Sequence, residues 1–228
     1  MCEIGQAHQT NDRHMTAQPI GDGVTSQADA AYSVVRDLLI RLEIAPGAPI
    51  VESDLTQKIG IGRTPLREAL NRLESERLVN IFPRRGTFAA DINLADLALI
   101  TDLREELEGH AAAKAALRAT PPERSRLTTL ADHLTSSDTA TQMAIDTEIH
   151  RAIYSATHNR FLEDTASQYH NLALRIWHLF TDRLTNLADH VEEHRGLLAH
   201  IVSGEADEAR SVAVAHVRNF EGAVRSLL

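Results

Sequence analysis

The sequence carries a single cysteine, Cys2, which excludes an internal disulfide framework. Aromatic residues make up only 4 % of it, while alanine and leucine are abundant, and this balance favours a helical protein. No stretch approaches the ~18 consecutive apolar residues of a membrane-spanning helix. The first residues also lack the apolar run, roughly 7–15 residues long, of a secretory signal. These absences lead to the expectation of a soluble, cytoplasmic protein with no membrane partner. A net charge of −9 argues against wholesale coating of nucleic acid by the entire surface.

That charge is unevenly spread. From Asp29 to Asp91 nine basic residues are balanced by nine acidic ones, so the acidity belongs to the remainder. Within the neutral span the cations gather between Arg63 and Arg85. With 228 residues the chain has room for two small domains.

Residues 1–27 are polar and without periodicity, and read as a mobile tail. Ala30 to Glu43 reads as a helix with Val35, Leu38, Leu39 and Leu42 on one face, ended by Ala45-Pro46-Gly47. Pro49-Ile50-Val51 offers one short strand, and Glu52 to Ile59 a brief helix stopped by Gly60. In the next segment Thr64 is placed as N-cap with Pro65 at the first helical position, and Leu66, Leu70 and Leu73 recur at i, i+4, i+7. Val79 and Ile81 then alternate before a tip containing Pro83, Arg84, Arg85 and Gly86, as in a hairpin. Three helices followed by a basic hairpin spell a winged helix-turn-helix over residues 28–92.

In such a unit the second helix of the pair enters the DNA major groove with its N-terminal residues first. Arg63 and Arg67 sit at that end and can donate paired hydrogen bonds to guanine O6 and N7. Thr64 and Arg72 suit phosphate contacts, and Arg84 and Arg85 reach phosphates or the minor groove around Gly86. The run Glu52-Ser-Asp-Leu, Gly60-Ile-Gly-Arg-Thr-Pro-Leu-Arg-Glu-Ala-Leu-Asn-Arg-Leu-Glu74, Leu78-Val79 and Pro83-Arg-Arg-Gly86 closely resembles the GntR family of bacterial transcription regulators. Gly62 stands where serine is common there, and Arg77 where glycine is common. The resemblance implies DNA contacts at Arg63, Arg67 and the Gly86 wing tip, and a homodimer on a palindromic operator.

Beyond Asp91 strand signals cease. A long helix is expected over Leu94 to Ala119, stopped by Thr120-Pro121-Pro122. Further helices follow over 122–135, 139–157, 160–185, 187–203 and 205–227, with breaks at Ser136-Ser137, Asn159, Asn186 and Gly204. Long helices with short turns indicate an antiparallel bundle over residues 93–228. The expected fold class is thus mainly α: a winged helix-turn-helix followed by an all-α bundle.

Ten of the twelve histidines lie from His110 onward. Asp146 and His150, at i and i+4, project from one side of a helix beside the stripe Ile145, Ile149, Ile153, Ala156. His194 falls on the stripe Val191, Leu198, Ile201, and His216 among Ala209, Ala213, Val217, Phe220 and Val224. One histidine on an apolar stripe is ordinarily a hydrogen-bonded core residue. Three imidazoles and a carboxylate converging in a bundle offer several lone pairs together, and a divalent metal satisfies them all. Without a thiolate the set suits Zn²⁺ first, with Ni²⁺, Mn²⁺ or Fe²⁺ open.

The segments Arg104-Glu-Glu-Leu-Glu108, Asp146-Thr-Glu-Ile-His150, Glu193-His194-Arg195 and Ala215-His216 resemble the FCD ligand-binding domain of the FadR-type GntR branch. That resemblance implies a metal on the Asp and three His, and small carboxylates that coordinate it. Arg104 lies in the apolar register Leu97, Ile100, Leu107, Ala111, where a cation needs an anionic partner. It either forms a structural ion pair with a helix carboxylate or grips the carboxylate of an effector. The leading expectation is a dimeric DNA-binding repressor controlled by a small carboxylate at the metal. A regulator with a purely structural metal, and a metal-dependent hydrolase, are the competing ones.

Overall fold

The computed structural model describes residues 26–134, 139–180, 183 and 187–228. The expected mobile tail therefore lies almost wholly outside the described residues. Its last member does not belong to it, because Gln27 already opens a helix. Helix α1 (Gln27–Ile40) starts where the Ser26 hydroxyl accepts the Asp29 N–H. It ends earlier than expected, since Leu42 turns left-handed at φ 57°. Strand β1 (Pro49–Ile50) is followed by α2 (Glu52–Ile59), which Gly60 closes at φ 69°.

Helix α3 (Arg63–Ser75) buries Leu66, Ala69, Leu70 and Leu73 against α1. Its N-cap is Gly62, with extended backbone, rather than the expected Thr64. Pro65 is thus the third helical residue, and its missing N–H still falls among the donors that have no intrahelical acceptor. The helix ends in a Schellman turn: Leu78 N–H reaches Leu73 C=O at 2.9 Å and Arg77 N–H reaches Glu74 C=O at 2.9 Å. Arg77 holds the left-handed position of that turn at φ 65°, which explains why glycine suits it. Strands β2 (Val79–Phe82) and β3 (Gly86–Ala89) form the wing, and β1 adds antiparallel to β3, giving the order β1-β3-β2.

Four residues after β3, a 3₁₀ turn over Leu94–Asp96, capped by Asn93, leads into α4 (Leu97–Arg118). The bundle continues with α5 (Pro121–His133), α6 (Thr139–Ser155), α7 (Arg160–Phe180), α8 (Leu187–Ser203) and α9 (Ala206–Arg225). Thr120 and Glu123 form a capping box at the start of α5. The expected break at Ser136-Ser137, the one at Asn186 and the end of the helix expected to reach 185 lie outside the described residues.

Small residues govern the packing of α4. Ala111, Ala112, Ala115 and Ala116 are buried, and a Cβ on Gly109 would meet Val214 Cγ2 at 2.8 Å. This close approach to α9 fixes the register between the helices that carry Arg104 and His216. At the far end Arg124 closes two helices at once. Its guanidinium donates to Ala116 and Ala119 C=O at the end of α4, and to Ile201 and Val202 C=O at the end of α8.

The two halves share a boundary on α7. Leu172 packs against the apolar core of the N-terminal unit. Arg175, fully buried, donates to Ala90 C=O at 2.6 Å, just past the last strand. Burial pushes its pKa down to about 10, with Asp91 opposing the shift. Arg151 on α6 also reaches Asp37 on α1 at 3.5 Å.

Candidate metal centre and nucleic-acid interface

At the leading end of α3, Arg63, Thr64 and Arg67 are all exposed. Arg67 Nε donates to Glu52 Oε2 at 2.8 Å, a pair that aims its guanidinium across the start of α2. The side chain is 64 % exposed, so a DNA contact would replace a weak surface pair. On the wing, Phe82 pairs with Gly86 and the tip is Pro83-Arg84-Arg85. Arg84 takes φ 65° and Gly86 φ 105°, which turns the chain sharply and leaves both arginines exposed.

Arg72 is not brought to this surface. Its guanidinium lies 3.7 Å over the Tyr32 ring and pairs with Glu76 at 3.3 Å and Asp29 at 3.6 Å. The structure thus sets Arg72 on the flank facing the bundle, where the sequence suggested a phosphate contact. Tyr32 donates to Glu76 at 2.8 Å; burial, with Glu76 beside it, holds its phenol up to about 12.

In the bundle, Asp146 and His150 from α6, His194 from α8 and His216 from α9 converge. One potential ligand atom from each lies within 4.8 Å of all the others, and all four residues are buried. His194 Nε2 is 3.2 Å from Asp146 Oδ1 and 3.4 Å from His150 Nε2; His150 Nε2 is 3.7 Å from Asp146 Oδ1. Nitrogen and oxygen ligands at about 2.0–2.2 Å from one ion stand roughly 3–3.5 Å apart, so these spacings suit a shared cation.

The second ring nitrogens support the same reading. His150 Nδ1 faces Glu108 Oε2 at 3.2 Å, and His216 Nδ1 faces Glu193 Oε2 at 2.9 Å, with Asn219 donating to the other Glu193 oxygen at 2.5 Å. A carboxylate only accepts, so in the neutral rings the Nδ1 that faces it carries the proton and Nε2 keeps its lone pair; the Tyr154 hydroxyl also stands 3.2 Å from His150 Nδ1. Metal-binding histidines are ordinarily held in this way. Burial resists protonation of His150, yet Glu108 and Asp146 outweigh it and raise its pKa. The carboxylates that favour a proton there favour a metal cation for the same reason.

Arg104 has found the helix carboxylate foreseen as one of its two options. Its Nε donates to Glu108 Oε1 at 2.6 Å, with both side chains buried. Burial opposes ionisation of Glu108, but Arg104 and His150 together hold it well below the usual carboxylate range. Arg104 also borders a small cavity of about 10 Å³ beside Asp146, His150 and His216, closed by Trp177 and Phe220. The two aromatic rings stack at 5.0 Å.

Three functional side chains escaped the sequence reading. Glu108 was one of several carboxylates near Arg104, and its i,i+4 spacing was the available signal. Glu193, next to His194, gave no signal, because its partner lies on another helix. His170, on α7, recurs with Leu162, Ala166, Ala173 and Trp177 in one buried register, which could have singled it out. Its ring lies tilted against that of His150, 4.2 Å between centroids.

With this geometry in hand, two domain families match: the bacterial regulatory proteins of the GntR family over residues 27–89, and the FCD domain over residues 99–219. An HTH-type transcriptional regulator in an unstable DNA locus of Streptomyces ambofaciens is 39 % identical over 87 residues, 38 % of this chain and 36 % of that protein. A second HTH-type regulator, from Agrobacterium vitis, is 33 % identical over 112 residues, 46 % of this chain and 66 % of its own length. This chain therefore spans about a third and just under two thirds of those two relatives. The regulator McbR of Escherichia coli is 26 % identical over 199 residues, 83 % of this chain and 90 % of that protein. Its structure superposes with a TM-score of 0.76 at 21 % identity, over 90 % of this chain and 99 % of that one. The N-terminal match sets aside the expectation of a metal-dependent hydrolase. With both domains matched in this order, the chain belongs to the GntR family of bacterial transcription regulators, in the FadR-type branch that carries an FCD domain.

Proposed function

We propose that this chain is a sequence-specific repressor that binds a palindromic operator as a homodimer and releases it when a small carboxylate occupies the bundle. The observation that carries this reading is the convergence of Asp146, His150, His194 and His216, within one bundle joined by four residues to a winged helix. Residues 28–92 form the DNA-reading unit, and residues 93–228 the effector-binding and dimerising one. Exposed Leu99 and Leu103, one turn apart on α4, offer a second copy an apolar strip. Arg63, Thr64 and Arg67 address the major groove, with Arg84, Arg85 and Gly86 on the wing. No helix among the described residues is long and apolar enough to cross a membrane, which accords with a cytoplasmic regulator.

Asp146, His150, His194 and His216 would hold a divalent ion, with Zn²⁺ first among Ni²⁺, Mn²⁺ and Fe²⁺. Such an ion supplies a Lewis-acidic position for a carboxylate oxygen. Glu108 and Glu193 fix the ring orientations around it, and Trp177 with Phe220 keeps the cavity apolar on one side. An effector lowers operator affinity only by binding one arrangement of the two DNA-reading units more tightly than another.

The ion pair between Arg104 and Glu108 favours a second reading, in which the metal is structural and no effector binds. Calorimetry of the metal-loaded protein against small carboxylates separates the two. Carboxylate binding that also weakens operator affinity supports the first; a metal-loaded protein that binds operator but no carboxylate supports the second.

A further inference from the structure

A pocket of about 330 Å³ lies where the two units meet, and it shares none of its lining with the metal centre. Its walls come from three places: Arg77 at the end of α3, the junction from Asp91 to Asn93, and residues of α4 and α7. That volume falls within the range of small-molecule sites, roughly 300–1,000 Å³, and domain boundaries are a common place for them.

Aliphatic side chains make up half of the lining, among them Ile100, Leu103, Leu172 and Ile176. Such walls give an occupant affinity, but a polar group is needed to orient it. Arg175 supplies one. It lines the same pocket at 2 % exposure, and its Nη2 is committed to Ala90 C=O at 2.6 Å. Its Nε–H is buried and has no hydrogen-bond partner. A buried donor left without an acceptor is costly, so this atom marks a place where an acceptor belongs. Asp91 does not fill that role: it opposes the effect of burial on Arg175 without outweighing it.

The charges on the walls select the chemistry of that acceptor. Two carboxylates, Asp91 and Asp96, and two guanidiniums, Arg77 and Arg175, line the pocket, so its formal charge cancels. Arg175 is buried, whereas the other three are exposed. An anion would be drawn to Arg175 but repelled by both carboxylates, and it would give up its hydration among leucines and isoleucines. A neutral carbonyl oxygen satisfies Nε–H and adds no charge. A hydroxyl would also bring a donor, which an aliphatic wall leaves without an acceptor.

We propose that this pocket binds a small, uncharged, apolar compound bearing a carbonyl group (a ketone, ester or amide), whose oxygen accepts from Arg175 Nε–H. The site is separate from the metal centre, and its occupancy depends neither on a metal nor on the carboxylate effector of the preceding section. An occupant touches the DNA-reading unit, the junction and both bundle helices at once. It therefore favours the arrangement of the two units in which the pocket exists.

The test is an NMR titration of the full chain, labelled at its isoleucine and leucine methyl groups, with three probes: acetophenone, toluene and benzoate. Toluene lacks the carbonyl, and benzoate puts a charge in its place. Acetophenone should shift the methyl signals of Ile100, Leu103 and Leu172 and bind roughly tenfold tighter than either of the others, as a hydrogen bond to a charged donor allows. Arg175→Lys, which keeps the charge and removes Nε–H, should bring acetophenone down to the affinity of toluene and leave toluene unchanged. Leu103→Trp, which fills the pocket, should weaken both by about tenfold or more, and it tests the site should Arg175→Lys fail to fold. Equal binding of acetophenone and toluene, or a preference for acetophenone that survives Arg175→Lys, overturns the role of Arg175. Benzoate binding tightest of the three overturns the uncharged ligand. Shifts confined to methyl groups elsewhere, binding indifferent to Leu103→Trp, or binding of none of the probes overturns the site itself. None of these outcomes touches the metal or the carboxylate effector, which stand or fall by their own measurements.

Discussion

Replacing Glu108 by glutamine separates two jobs that the structure gives one carboxylate. One oxygen accepts from Arg104 at 2.6 Å and the other faces His150 Nδ1 at 3.2 Å, with Glu108 and Arg104 each 4 % exposed. Glu108→Gln strands the guanidinium without a counter-charge, and breaking a buried pair from one side costs about 3–5 kcal/mol. It also loosens the orientation of a proposed ligand, for which the usual loss in metal affinity is roughly 10–100-fold. The double variant Arg104→Leu/Glu108→Leu tells these apart. Removing both charges should restore most of the stability, because two apolar side chains need no pairing. It should not restore metal affinity, since His150 still lacks its carboxylate and keeps only the neutral Tyr154 hydroxyl at 3.2 Å from Nδ1. Urea unfolding of the metal-free proteins, followed by circular dichroism, reads the first quantity; competition with a chromogenic chelator reads the second. A double variant that recovered full metal affinity would refute the orienting role of Glu108. A single variant as stable as the parent would refute the dependence of Arg104 on it.

Arg67→Ala should weaken operator binding by about 1–3 kcal/mol and relax sequence preference at one position. Unchanged affinity in a gel-shift assay at fixed salt would remove Arg67 from the reading set. His194→Ala/His216→Ala should leave the purified protein without stoichiometric metal, as measured by elemental analysis; full occupancy would contradict the four-residue site. Arg77→Gly should raise the melting temperature, because a non-glycine residue in the left-handed region costs roughly 1–2 kcal/mol, part of which the greater freedom of unfolded glycine offsets. A fall in melting temperature would show that the Arg77 side chain contributes more than its backbone costs.

Much of the molecule was legible because its signals are local. The i, i+4, i+7 leucines of α3, the alternation into the wing and the Gly60 stop are all read within a dozen residues. Even there the cap fell to Gly62 instead of Thr64, since both precede the apolar run and only backbone geometry separates a cap from a first turn. Asp146 and His150 were legible as a pair one turn apart, and His194 and His216 because each interrupts an apolar stripe. Glu108, Glu193 and His170 were not, for a common reason: each takes its meaning from a partner on another helix. The stacking of Arg72 was not legible for a related cause, as its position on α3 is local but the ring of Tyr32 beneath it comes from α1.

Arg175 has a consequence for how such proteins can be recombined. It belongs to the bundle, yet its guanidinium terminates the sheet of the N-terminal unit at Ala90, while Leu172 beside it completes that unit's core. The unit is therefore not a detachable module bounded by residues 27 and 89. A chimaera that grafts it onto another helical domain must carry across the matching turn of α7, or leave a strand end without its donor and an apolar core without its lid.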